Sequence, residues 1–289
     1  LTFNNDGTTL FVVGSETGEV NQYSLSTPFD LSGTNTLEGT FTITADNFVS
    51  DIAFNTDGTK MFVLAFGFGT DKVLQYDLTN PFDITSGVTA STESPFISFD
   101  SNPVGIAFSA DGNKIFIAGS NTDQVQEYAL SNPFDISSFT LLSTFDASAF
   151  DTGLQDVHFN QNGSEMYTVD VNTDNVYRFQ LENNFSLAGT ITLKDTLFVG
   201  AQETSPRGLT TSADNSTVYV TGIDSDQVHQ FPQFASGLFA ESSSNDGTLT
   251  GSATISLSQV FFVAGIDTLL SPQHFSINDL PICLSPFMV

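Results

Sequence analysis

The sequence predicts an all-β protein folded as a β-propeller of four-stranded antiparallel blades. A first observation is the period. The aromatic column Phe3, Phe54, Phe108 and Phe159, with Thr211 in fifth place, has offsets of 51, 54, 51 and 52. The column Phe11, Phe62, Phe116, Tyr167 and Tyr219 keeps these offsets, and Val20, Val73, Val125, Val176 and Val228 nearly do. A second observation is that every repeat holds short apolar runs parted by turn residues, the pattern of radially repeated sheets. One such sheet cannot bury both of its faces, so copies must stack around an axis.

The elements of a unit follow from its punctuation. In the third unit "GIAFSA" (105–110) reads as the inner strand, "DG" as a tight hairpin turn, and "KIFIAG" (114–119) as the second strand. "SNTD" turns the chain into "QVQEYAL" (124–130), and "SNPFDIS" interrupts pairing before "FTLLSTF" (139–145), the outer strand. The "PFD" turn recurs at 28–30, 81–83 and 133–135, and "NFS" at 184–186 replaces it. Phe29, Phe82, Phe134 and Phe185 are therefore expected to plug the spaces between blades. The repeat units span 1–51, 52–105, 106–156, 157–208 and 209–236. The fifth unit lacks its outer strand, and the ring is expected to hold about five blades here, with six or seven in a longer parent. The chain opens on Leu1 inside a strand with no initiator Met, which reads as a fragment of something longer.

With 6 Lys+Arg against 33 Asp+Glu the formal charge is -27, which opposes nucleic acid and anionic membrane surfaces. No apolar run is long enough to insert in a membrane. Twenty-nine Phe at regular spacing place this acidity on a folded surface rather than in a disordered chain. Cys283 is the only cysteine, so no disulfide can form within the chain. Few lysines with many Asp, Asn, Thr and Ser fit an extracellular or cell-surface protein.

"IAFSADGNKIFIAG" and "QVQEYAL", with their copies, resemble the blades of the bacterial propeller superfamily that includes YVTN-type and lactonase-like proteins. The resemblance covers residues 1 to about 231 and implies the fold. It does not choose among functions, since the shared positions are core and turn. Residues 237–289 leave the register. "NDGTLTGSATISL" and "FSINDLP" resemble the opening of an Ig-like module of large surface adhesins; the alternative is a set of ring-closing strands.

No G-x-S-x-G is present and no zinc-type spacing links His158, His229 and His274, for which structural or solvated roles are expected. Carboxylates are the one chemical theme. The loops from second to third strand and those between blades should meet on one face. They carry Asp71, Asp123, Asp174 and Asp226 at matching turn positions, Asp51 and Asp156 ahead of the inner strands, and Asp100, Asp151 and Glu203 nearby, with Arg207 as a paired cation or a substrate anchor. Such a rim could bind Ca²⁺, a hard cation that takes six to eight oxygens. Asp in "NTD" and "DSD" turns can equally well bond its own backbone. The expected function is a non-enzymatic, secreted or surface-displayed module that adheres to a glycan or protein partner. The alternatives are a hydrolase or lyase using channel carboxylates with a divalent ion, and a structural scaffold.

Overall fold

A computed structural model describes residues 1–232 except 16, 46, 47, 68–70 and 151, together with the backbone of 240, 241, 249 and 250. The chain divides into two compact units, Leu1–Gln233 and Phe234–Val289. In the second unit the described part is a short antiparallel pair, β20 (Ala240–Glu241) with β21 (Leu249–Thr250). The Ig-like reading, His274 and Cys283 all lie outside the described residues.

The first unit is a five-bladed propeller. Blade 1 is β1 (Thr2–Phe3), β2 (Thr9–Gly14), β3 (Glu19–Leu25) and β4 (Asn35–Thr42); blade 2 is β5 (Val49–Phe54), β6 (Lys60–Ala65), β7 (Lys72–Leu78) and β8 (Val88–Glu93). Blade 3 comprises β9 (Pro103–Phe108), β10 (Lys114–Gly119), β11 (Gln124–Leu130) and β12 (Phe139–Asp146). Blade 4 comprises β13 (Leu154–Phe159), β14 (Glu165–Asp170), β15 (Asn175–Leu181) and β16 (Ile191–Phe198). Blade 5 has three strands, β17 (Pro206–Thr211), β18 (Thr217–Gly222) and β19 (Val228–Pro232). All neighbours within a blade are antiparallel, as the hairpin turns require. Among the described residues no helix is long and apolar enough to cross a membrane.

The cores sit between blades. Phe11 meets Phe54 at 4.5 Å between ring centroids, Phe62 meets Phe108 at 4.6 Å, and Phe116 meets Phe159 at 4.3 Å, the same two columns at three successive interfaces, with Thr211 in place of the second ring between blades 4 and 5. Tyr219 of blade 5 meets Phe3 of blade 1 at 4.8 Å in the same register, which closes the ring. A polar contact repeats alongside. Gln22, Glu127 and Gln230 each accept the backbone N–H of the residue two places after the "PF" phenylalanine of the next blade, at Ile84, Leu187 and Leu31. The last of these joins blade 5 to blade 1, so closure uses the same contact as the other interfaces.

The "PF" phenylalanines do plug these spaces. Phe82, Phe134, Phe185 and Phe29 pack against the four inter-blade clusters, all with φ between 50° and 57°. Each ring lies flat on the glycine of its own blade's "DG" or "NG" turn. A Cβ at Gly58 would come within 2.2 Å of the Phe82 ring, so the glycine is needed for close approach as well as for its positive φ.

Candidate functional site: a bulged mouth on the propeller axis

The loops between blades and the turns from second to third strand do share one end of the ring. Phe66 N–H donates to Phe48 O, Ser120 N–H to Asn102 O, Val171 N–H to Gly153 O and Ile223 N–H to Ser205 O, once in each of blades 2 to 5. This end is called the upper face below.

On entering an inner strand from that face, the chain makes the same irregularity four times. The pairing of β5 with β6, β9 with β10, β13 with β14 and β17 with β18 each skips one residue. The skipped residues are Ser50, Val104, Gln155 and Arg207. A β-bulge of this kind re-aims a side chain and is common beside functional sites. Arg207 Nη1 donates to Gln155 Oε1, while Gln155 Nε2 donates to Gly153 O at 3.2 Å. Burial lowers the pKa of Arg207, and Asp224 and Glu203 oppose this. Five of the six Lys and Arg side chains form ion pairs within 4.0 Å; among the described residues Arg207 alone forms none.

One residue further in, the four blades read Asp51, Gly105, Asp156 and Gly208. Asp51 accepts the Leu1 amine at 3.0 Å on Oδ1 and the Ile106 N–H at 2.9 Å on Oδ2. Asp156 accepts the Val157 and Leu209 N–H groups, both at 2.7 Å. Each carboxylate thus fastens its inner strand to the next blade, and the neighbouring column position is left as glycine. A Cβ on Gly105 would lie 2.6 Å from Asp156 Oδ1. Burial, then the charge of Asp51, raises the pKa of Asp156 well above the usual carboxylate value.

Below this level an axial cavity of about 150 Å³ is lined by the inner strands of all five blades. His158 lines it, and its Nε2 lies 3.0 Å from Thr211 Oγ1. Thr211 is where the aromatic column loses its phenylalanine, and the imidazole of blade 4 bonds to the smaller residue. Burial, and secondarily the Leu1 amine, lowers the His158 pKa to about 4, so the ring is neutral at pH 7.

The remaining acids hold turns. Asp123, Asp174 and Asp226 have φ of 51°, 55° and 52°, the left-handed conformation that Gly18 adopts at 62° in blade 1. The carbonyls of Gly18, Asp71, Asp123 and Asp174 receive the N–H groups of Ile43, Ile97, Ala147 and Val199. Asp71 Oδ1 also accepts Gly67 N–H at 3.3 Å. Asp100 is buried and accepts the N–H groups of Asn102, Asn121 and Thr122 and the Thr122 hydroxyl. Glu203 does the same for Ser205, Asp224 and Ser225. Burial works against its ionisation, yet these hydrogen bonds together keep its pKa below the usual value. In blade 4 Asp170, at the end of the second strand where blades 3 and 5 have Gly119 and Gly222, accepts Asn172 N–H and the Thr173 hydroxyl. Asp151 lies outside the described residues.

Ser225 Oγ also lies 2.8 Å from His229 Nε2, which brings Glu203, Ser225 and His229 together. The other blades show what this cluster is. In blade 4 the places of Ser225 and His229 are held by Thr173 and Tyr177, with Thr173 Oγ1 3.1 Å from the Tyr177 hydroxyl, and the carboxylate comes instead from Asp170 at the end of the second strand. The cluster is the blade 5 copy of a turn anchor.

Among the described residues no three His, Cys, Asp or Glu side chains come together as a metal site. Both oxygens of Asp156 are engaged by backbone N–H groups, and those of Asp51 by one backbone N–H and the Leu1 amine. The sequence did not reveal Gln155 or the bulges; a backbone irregularity leaves no composition signal, though the polar run "GLQD" ahead of an apolar strand was a trace of it.

Fold and site together define a repeat propeller with one open, bulged axial mouth. Residues 53–245, two thirds of the chain, match the family described as "Lactonase, 7-bladed beta-propeller", and the chain belongs to that family. A protein from Lactobacillus plantarum superposes with a TM-score of 0.51 at 15% identity, over 80% of this chain and 66% of that one. A protein from Desulfotomaculum acetoxidans gives 0.48 at 17% identity, over 80% and 64%. The periplasmic gluconolactonase PpgL of Pseudomonas aeruginosa gives 0.48 at 20% identity, over 80% and 65%. The chain thus spans just under two thirds of the length of these structures, and at such identities the likeness shows the fold alone. No curated protein matches.

Proposed function

We propose that this propeller binds a small anionic molecule, a sugar acid or a phosphorylated lactone, at its upper mouth, with Arg207 as the anchor. The observation that carries this is the unpaired guanidinium on the blade 5 bulge, in a chain of formal charge -27 whose other cations are ion-paired. Carboxylate and phosphate match the planar fork of arginine. Gln155 holds one arm of that fork and leaves the other donors for ligand. Membership of the lactonase family supports a lactone or its hydrolysed acid as the class.

The described residues support binding better than hydrolysis. Glu203 and Asp156 are engaged by backbone donors. The neutral imidazole of His158 could accept a proton, but it lies three residues beyond Gln155 along β13, roughly 10 Å at strand rise. A base for water attack at Arg207 is therefore not supplied by His158.

Calorimetric titration with gluconate and 6-phosphogluconate, and with glucose as the neutral control, tests the proposal. Both acids are expected to bind, glucose is not, and Arg207→Gln should weaken binding about tenfold or more. Equal binding of glucose, or an Arg207→Gln variant that binds as before, would refute the anchor.

A further inference from the structure

Aromatic residues in this chain are core residues in nearly every blade, with four exceptions that share a place. Phe48, Phe96 and Phe150 fall in the connections from blade 1 to 2, 2 to 3 and 3 to 4, and Phe198 ends the outer strand of blade 4 at the same face; they are 51%, 51%, 38% and 60% exposed. Ile223, in the upper turn of blade 5, is exposed as well. The other exposed large apolar residues described, Leu37, Leu141 and Leu142, lie on outer strands, and none lies at the "DG" end. Phe48 packs against Phe66 at 6.0 Å between centroids and Phe150 edge-on against Phe179 at 5.4 Å, so these two rings are held in place with one side open to water, and apolar side chains gathered at one end of the ring are what a partner surface would cover.

The charge on that face differs from the charge on the opposite one. At the "DG" end Asp6, Asp57, Asp111 and Asp214 are satisfied locally, chiefly by side-chain hydrogen bonds from Thr8, Thr59, Ser109 and Ser212, which lower their pKa values. On the upper face Asp123 and Asp174 are raised, first by burial and then by neighbouring carboxylates, among them Asp100, Asp170 and Asp224. Exposed Asp224 and Asp226 add to this field, while Asp146 and Glu203 on the same face are satisfied by local hydrogen bonds, Asp146 from Ser148 and Glu203 from Ser225 among others. Like charges crowded beside apolar groups are relieved by a partner that brings cations and apolar side chains together.

We propose that the upper face docks a protein segment in which lysine or arginine alternates with apolar side chains. A glycan platform fits less well, because the exposed rings are all phenylalanine, which bring no hydrogen-bonding group of their own to sugar hydroxyls, and the chain has no Trp. The proposal uses different residues from the Arg207 anchor and stands or falls separately.

The test is fluorescence anisotropy of the full chain with a fluorescein-labelled alternating Leu–Lys peptide. A Leu–Glu peptide and an oligolysine of equal length are the controls. The Leu–Lys peptide is expected to bind best, and Phe96→Ser with Phe198→Ser to weaken it about tenfold. Leu141→Ser with Leu142→Ser and Arg207→Gln should leave it unchanged. If the double phenylalanine variant melts early, the two single variants carry the test, each expected to lose part of the affinity. Oligolysine binding as tightly as Leu–Lys, or phenylalanine variants without effect, would overturn the proposal. So would a rim that binds phosphatidylcholine vesicles in place of the peptide.

Discussion

Replacing Thr168 with valine should stabilise the propeller. Thr168 lies on the second strand of blade 4, its side chain is fully buried, and its hydroxyl has no hydrogen-bond partner. The same place in the other blades holds Val12, Val63, Ile117 and Val220, so the repeat itself shows what the pocket accepts. Thr and Val are both β-branched and nearly equal in shape, and the exchange leaves the χ1 preference in place. A buried hydroxyl without a partner costs ~1–3 kcal/mol, and a buried methyl in its place contributes ~0.8 kcal/mol. The net gain should be about 2 kcal/mol, or about 4–8 °C in Tm for a unit of this size. Scanning calorimetry reads it directly. The mirror change, Val220→Thr, should lower Tm by a comparable amount. A Thr168→Val protein that melts at or below the original temperature would show that the hydroxyl has a partner, such as an ordered water, and would refute the reasoning.

Other perturbations test the axis, the turns and the closure of the ring. An unfolded histidine takes up a proton below about pH 6.5 but folded His158 only near 4, so between these values the unfolded chain binds more protons and stability falls as pH drops. His158→Gln should flatten that slope by up to ~3 kcal/mol in urea melts taken across the window, and parallel profiles would count against it. Gly119→Asp sets a Cβ 2.3 Å from Asp100 Oδ2 and should destabilise strongly. Combined with Asp100→Ala it should recover much of the loss, because blade 4 supplies the same carboxylate from Asp170; an additive double-mutant cycle would refute this equivalence. Phe116→Ala and Tyr219→Ala each remove a fully buried aromatic from an inter-blade pair and should each cost ~3–5 kcal/mol. A much smaller loss for Tyr219 would mean that blades 5 and 1 do not meet in solution.

The fold was legible because its signals are local. "DG", "NTD" and "PFD" fix turns by backbone chemistry, and a strand between two such turns has few alternatives; β10 and β11 fall on the residues expected. The turn role of Asp123, Asp174 and Asp226 was legible for the same reason, since Asp tolerates the left-handed conformation. The inter-blade contacts were not. Gln22, Glu127 and Gln230 share a column but only two of them share a residue type, and what unites them is the position of an N–H some 60 residues further along or across the closure of the ring. Asp51 and Asp156 line the axial cavity, yet a sequence cannot show which donors face their oxygens. The exposed phenylalanines were hidden among the 29, because burial is not written in residue type.

A repeat offers its own control for separating structure from function. Where blades agree in chemistry, the common cause is the fold; blades 3, 4 and 5 each hold the upper turn with a carboxylate and a hydroxyl, and on that ground the Glu203, Ser225 and His229 cluster is a turn anchor despite its likeness to a catalytic set. Where one blade departs, two outcomes are distinguishable. His158 departs together with Thr211, and the two answer each other, so their departure closes on itself. Arg207 departs from Ser50, Val104 and Gln155 on a shared bulge, and it bonds Gln155 through one arm without any carboxylate partner. A charged group left over after its neighbours are satisfied is what supports the proposal of Arg207 as the anchor, over the more numerous acids around it.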